Sequence, residues 1–131
     1  MKNEMNPYAA LNKLFHEPSR LAIITALGGA IDGLTFGELK DHCDLTDGNL
    51  SRHLKALEEG RMVRVKKSSA GKRTRTSVVL SDYGRESFME YLRALEQVLV
   101  TASKSMVAEE KAADFRVLWK SQFGTGIFDM D

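Results

Sequence analysis

Thr46-Asp47-Gly48-Asn49-Leu50-Ser51-Arg52-His53-Leu54-Lys55-Ala56-Leu57-Glu58-Glu59-Gly60 is the stretch on which the reading of this chain turns. At about 100° per residue, Leu50, Leu54 and Leu57 fall on one narrow apolar stripe, while Gly48, Arg52 and Lys55 point away from it and Asn49 and Ala56 lie on the flank. The small residues let such a helix approach another surface closely. Arg52 and Lys55 can reach phosphates or the guanine O6/N7 edge, and Asn49 has the donor and the acceptor that adenine N6/N7 requires. A surface helix with solvated charges would share this pattern, so the flanking sequence has to decide between the two.

Directly after Gly60 come two β-rich runs, Met62–Lys66 and Thr74–Leu80, around the basic loop Lys67-Ser68-Ser69-Ala70-Gly71-Lys72-Arg73. They predict a hairpin whose long cationic side chains suit DNA backbone or minor groove. The whole chain of 131 residues carries a formal charge of only +1, but that charge is unevenly placed. Residues 49–80 hold nine Lys and Arg against Glu58 and Glu59, a net +7, and the remainder holds ten against sixteen acidic residues, a net −6. One helix and one hairpin therefore gather a face suited to a polyanion. Upstream, Pro18 fits the first turn of a helix with Leu21, Ile24 and Leu27 at helical spacing, and Gly28-Gly29 can end it. Thr35-Phe36-Gly37-Glu38 matches a capping box that opens a short helix with Phe36, Leu39 and Cys43 on its core side. Asp44-Leu45-Thr46 then makes a brief turn. Helix, short helix, tight turn, exposed helix and hairpin is the order of a winged helix-turn-helix, a mainly α fold with a small β-hairpin wing.

From about Leu11 to Leu99 the chain resembles the small MarR/ArsR-like winged-helix transcriptional regulators of bacteria and archaea. The resemblance is carried by Pro18-Ser19-Arg20-Leu21, by Leu50 through Gly60, and by Leu80-Ser81-Asp82-Tyr83-Gly84-Arg85 after the wing. It implies a dimeric protein that binds double-stranded DNA sequence-specifically and usually represses transcription. It places Asp47, Gly48, Asn49, Ser51, Arg52, His53 and Lys55 of helix 47–59 in or beside the major groove. On wing 66–75 it places Lys66, Lys67, Lys72, Arg73 and Arg75 against DNA. Members that sense metals or oxidants use clustered or reactive cysteines, whereas this chain has the single Cys43. At a core position of the short helix that thiol is expected to be inert, and with His16, His42 and His53 as the only histidines no metal site is expected.

The expected organisation is an N-terminal dimerisation helix over 1–16, the DNA-binding domain over 17–81, a long dimerisation helix over 82–106, and a C-terminal helix and tail over 107–131. Tyr8, Leu11, Leu14 and Phe15 give the first helix an apolar stripe, with Asn6 as its cap and Pro7 behind it. Phe88, Tyr91, Leu92, Leu95, Leu99, Ala102 and Met106 recur at three- and four-residue steps along the long helix. A stripe of that length needs cover, and a second copy of the same helix is the expected partner, giving a two-fold homodimer. Ala108 to Gln122 predicts one more helix, with Phe115, Leu118, Trp119 and Gln122 or Phe123 on one side, packed against the dimerisation helices. The tail could instead form a lid over an effector pocket, although no polar constellation names a small-molecule effector. With 43% hydrophobic residues the chain can bury one core. A single cysteine, no signal-peptide pattern and no apolar run of about 20 residues point to a reducing cytoplasm and away from a membrane. No glycine-rich phosphate loop, His-Glu-x-x-His or nucleophile elbow is present, so neither an enzyme nor a cofactor is expected. The alternative is a winged helix used for protein contacts within a larger assembly, which would call for a weakly charged exposed helix.

Overall fold

The computed structural model describes residues 7–70, 73–106 and 117–121. Its elements are α1 (Pro18–Gly28), α2 (Phe36–Cys43), α3 (Asp47–Glu59), β1 (Val63–Ala70), β2 (Arg73–Leu80) and α4 (Asp82–Met106), preceded by a 3-10 turn at Pro7–Ala10. Asn12–Met89 forms one compact unit, and the segments on either side of it group into a second.

In the first unit, local chemistry starts and stops each helix. The Glu17 carboxylate caps α1 by accepting from the Arg20 amide at 2.8 Å, Pro18 occupies the first turn, and the helix ends at Gly28. Its buried face is Ile23, Ile24 and Leu27, so Ile24 and Leu27 of the expected stripe are buried while Ile23 takes the place of Leu21, which is only half-buried. The capping box of α2 is complete: the Glu38 amide donates to Thr35 Oγ1 at 3.2 Å, and the Thr35 amide donates to Glu38 Oε1 at 2.9 Å. So short a helix buries only its centre, Leu39. Phe36 is 37% exposed and Cys43 half-buried, which corrects the expected core side. Asp44 then adopts a left-handed conformation with φ of 54° and ends α2, and Thr46 Oγ1 opens α3 by accepting from the Asn49 amide at 3.2 Å.

The hairpin is longer than the sequence pattern suggested. β1 and β2 pair antiparallel from Val63↔Leu80 through to Ala70↔Arg73, so Lys66 lies in the ladder opposite Ser77 as its β-run predicts, and Lys67 lies there too, opposite Thr76, not in a loop. Leu34 adds a bridge to Val78, its amide donating to the Val78 carbonyl at 3.0 Å and its carbonyl accepting from the Val78 amide at 2.8 Å. Gly33, just before it, has φ of +88°, and a Cβ there would stand 2.6 Å from the Val78 carbonyl oxygen. At the foot of the hairpin the Ser81 hydroxyl sits within hydrogen-bond distance of the Arg61 and Met62 carbonyls at 2.7 and 3.1 Å, and it accepts from the Gly84 amide at 2.8 Å. One hydroxyl thereby ties the entry and exit of the wing to the start of α4.

The N-terminal expectation is corrected. Among the described residues, no continuous helix precedes Glu17; the 3-10 turn at Pro7–Ala10 gives way to irregular turns. Asn12 is one cause, because its Oδ1 takes the Leu14 amide at 2.9 Å and so competes with a helical bond. Phe15, expected at a dimer interface, is fully buried in the first unit and packs edge-on against Phe88, with ring centroids 5.3 Å apart and planes at 65°. α4 begins at the expected Asp82 and is helical through Met106, after which residues 107–116 lie outside the described ones, and in the second unit Tyr91 and Ala94 are buried. Tyr91, expected on the stripe that a second copy would cover, is thus already covered within a single chain. Leu92, Leu95 and Leu99 are half-buried and Met106 is 82% exposed. Residues 117–121 are helical, with Val117 and Leu118 exposed. The rest of the expected tail helix, including Phe115, Gln122 and Phe123, lies outside the described residues, as does Asn6.

Candidate nucleic-acid interface

The apolar side of α3 is Leu50, His53 and Leu57, all buried, with Leu54 half-buried. Its opposite side carries Asp47, Gly48, Asn49, Ser51, Arg52 and Lys55, all exposed. Two of these are joined: an Nη2–H of Arg52 donates to Asn49 Oδ1 at 2.9 Å, across one turn of the helix. Asp47, at the start of α3, pairs with Lys40 of α2 at 2.9 Å, a contact that raises the lysine pKa through the hydrogen bond and the adjacent charge. This ion pair spans the turn between the two helices, and it offsets the negative charge that Asp47 would otherwise bring to a polyanion.

His53, expected beside the groove, is instead 5% exposed and faces the interior of the unit. An Arg20 Nη1–H donates to His53 Nδ1 at 3.2 Å, the Glu17 carboxylate lies 3.9 Å from the same nitrogen, and Arg20 Nε donates to the Leu14 carbonyl at 2.7 Å. Because Arg20 keeps its proton, this geometry suits a neutral imidazole carrying its hydrogen on Nε2. Burial pushes the His53 pKa down, helped by the Arg52 and Arg20 charges and opposed by Glu17. Burial also acts on Glu17, in the raising direction, but the Arg20 amide and the neighbouring positive charges outweigh it and hold the carboxyl below its usual range. The triad locks α3 onto the end of α1. It was missed in the sequence although a signal existed: His53 stands three residues after Leu50 and four before Leu57, on the same stripe.

On the wing, Lys66 and Lys67 are exposed on β1. Arg75 is exposed on β2, where its Nη2 contacts Glu38 Oε1 at 3.1 Å and its Nε donates to Ser77 Oγ at 3.4 Å. The same Glu38 oxygen also closes the α2 capping box, so one carboxylate joins the wing to α2. The Thr35 amide, and then the Arg75 charge, hold that carboxyl below its usual range. Lys72 lies outside the described residues; Arg73 stands at the start of β2 opposite Ala70. Cys43 has its thiol pKa raised by burial. Among the described residues no group of three or more His, Cys, Asp and Glu could hold a metal ion, and no helix is long and apolar enough to cross a membrane.

A short helix turning into a second helix with a cationic outer side, followed by a basic two-stranded wing, defines a winged-helix DNA-binding protein. Residues 19–99 match the family described as "Winged helix DNA-binding domain", and the chain belongs to that family. It is 37% identical over 86 residues to an uncharacterised protein of Methanocaldococcus jannaschii, covering 66% of this chain and 92% of that one. Among solved structures it is similar to a transcriptional regulator homologue from Pyrococcus horikoshii, with 28% identity, a TM-score of 0.63, and coverage of 76% of this chain and 95% of that one. The fold is shared with MepR, a transcription regulator of the Staphylococcus aureus multidrug efflux pump MepA, with 17% identity, a TM-score of 0.60, and 91% and 89% coverage. It is shared too with a MarR family transcriptional regulator from Silicibacter pomeroyi, with 18% identity, a TM-score of 0.57, and 95% and 80% coverage.

Proposed function

We propose that this winged-helix DNA-binding transcriptional regulator acts in the cytoplasm as a homodimeric repressor, with α3 in the major groove and the hairpin against backbone or minor groove. The observation that carries the reading is the outer side of α3, where Asn49, Ser51, Arg52 and Lys55 are exposed together on a helix fixed from beneath by Leu50, His53 and Leu57. Base edges are read by such side chains, while Lys66, Lys67 and Arg75 suit phosphates and set the register. The apolar residues Leu92, Leu95, Leu99 and Met106 of α4 support pairing with a second copy, which would present two copies of α3 about one turn of DNA apart. Repression would follow from occupancy of a promoter.

The test is selection of bound fragments from the source genome by purified protein at about 150 mM salt, near-physiological ionic strength, beside the Arg52→Ala/Lys55→Ala double variant. The expected result is a palindromic motif recovered by wild type alone, and silencing of a reporter placed behind that motif. A protein that recovers no motif and behaves like its double variant would be a protein-interaction module instead. For the single variant Arg52→Ala, the expected loss on the selected site is about 1–3 kcal/mol, with a much smaller loss on random duplex.

A further inference from the structure

The side-chain pair on the outer face of α3 constrains which bases it can read. Arg52 and Asn49 are both exposed, three residues apart, and joined through Arg52 Nη2 and Asn49 Oδ1 at 2.9 Å. Adenine is read by asparagine through both ends of the amide at once, Oδ1 accepting from N6 and Nδ2 donating to N7. In this chain the acceptor end of Asn49 is turned to the guanidinium. The Asn49 backbone is fixed as well, because its amide donates to the Thr46 cap at 3.2 Å. What the pair presents outward is therefore a surface of donors: the guanidinium N–H groups other than the one given to Asn49, and the Asn49 Nδ2. In the major groove, two adjacent acceptors with no donor between them are the O6 and N7 of guanine. An arginine held by a neighbouring acceptor also loses less rotational freedom on forming a forked contact than one waving in solvent.

We propose that Asn49 is a positioning residue for Arg52, not a reader of adenine, and that each half-site presents a guanine to Arg52. The inference rests on α3 being the groove-reading element and names the base that it reads. The discriminating substitution is Asn49→Asp. Aspartate keeps an oxygen to accept from Arg52 but has no amide donor for adenine N7, whereas Asn49→Ala removes both.

The experiment measures binding of the full-length protein to the selected duplex and to duplexes changed one base pair at a time, at fixed salt, for wild type, Arg52→Ala, Asn49→Ala and Asn49→Asp. Thermal unfolding of each variant confirms that it is folded. In wild type, replacing the critical guanine is expected to weaken binding roughly five- to a hundredfold. Arg52→Ala is expected to abolish that discrimination, and Asn49→Ala to shrink it severalfold at the same base pair. Asn49→Asp is expected to restore it, even though the added negative charge weakens binding to every duplex. Loss of discrimination at a separate adenine in both Asn49 variants, with the guanine unaffected, would overturn the proposal. So would an Arg52→Ala protein that loses affinity equally on all duplexes, the behaviour of a phosphate contact. If wild type binds the selected and random duplexes alike, it is the groove-reading role of α3 that fails, and the proposal fails with it.

Discussion

The imidazole of His53 shows how one side chain can be mistaken for a contact and turn out to be a support. Set between Arg20 and Glu17 and shut off from solvent, it is held neutral, and burial keeps its folded-state pKa below the ordinary 6.5. The unfolded chain therefore binds the proton more readily than the folded one, so the contribution to stability is intact above about pH 6.5 and is lost as the pH falls below that value. Glu17 acts in the same direction but in a lower window: its carboxyl is depressed, so its contribution survives until the pH drops below its unfolded value of 4.5. Between pH 7.5 and 5.5 the wild-type melting temperature is thus expected to decline more steeply than that of His53→Gln, whatever the variant's own starting point. Parallel declines in thermal denaturation scans would show that His53 does not titrate in the way its surroundings require.

Elements differ in how plainly the sequence announces them, and the difference is physical. The capping box at Thr35 and Glu38 and the start of α4 were legible because each depends on residues within a few positions of one another. The outermost rungs of the hairpin were not, because Lys67, Ser68 and Ser69 are exposed and carry no apolar alternation to betray a strand. The N-terminal turns were misread as a helix because apolar spacing at Leu11, Leu14 and Phe15 serves a buried anchor as well as a helical stripe. The exposed part of the candidate interface was legible as a cationic face, whereas the Arg20 and Glu17 support beneath it depends on a fold that brings α1 to α3. Packing between elements also yields a prediction from glycine. At Gly84 an added Cβ would collide with the Met62 carbonyl oxygen and come within 2.8 Å of its carbon, and at Gly33 it would meet Val78 in a left-handed backbone, while at Gly28 nothing lies within 4 Å. Gly84→Ala and Gly33→Ala are each expected to cost at least about 1–3 kcal/mol in urea unfolding, from backbone strain or displacement. Gly28→Ala is expected to be neutral or mildly stabilising, as alanine is the better helix former.

For the molecule as a whole, the decisive property is where its charge sits. With +7 on residues 49–80 and −6 elsewhere, association with DNA is expected to be strongly oriented and to weaken steeply with salt. The slope of log affinity against log salt should be near −0.9 for each phosphate neutralised, and three to five per subunit is the order expected of the wing and α3 cations. Lys66→Ala, on the exposed ladder, is expected to weaken binding to all sequences alike and to make the slope shallower by about 1 per subunit, a measurement made by titration at several salt concentrations. The anchoring of the wing adds a last consequence. Apart from the Arg75–Glu38 contact, the hairpin is held at its foot, by Leu34, by the Ser81 hydroxyl and by the buried Val63, Val78 and Val79, while its outer rungs have water on both sides. Its backbone amides should therefore exchange their hydrogens with solvent along a gradient, slowest near Val78 and fastest toward Ser69 and Thr74. A nucleic acid gripping the far end would flatten that gradient, making the wing a built-in reporter of occupancy that reads out in deuterium uptake without any label.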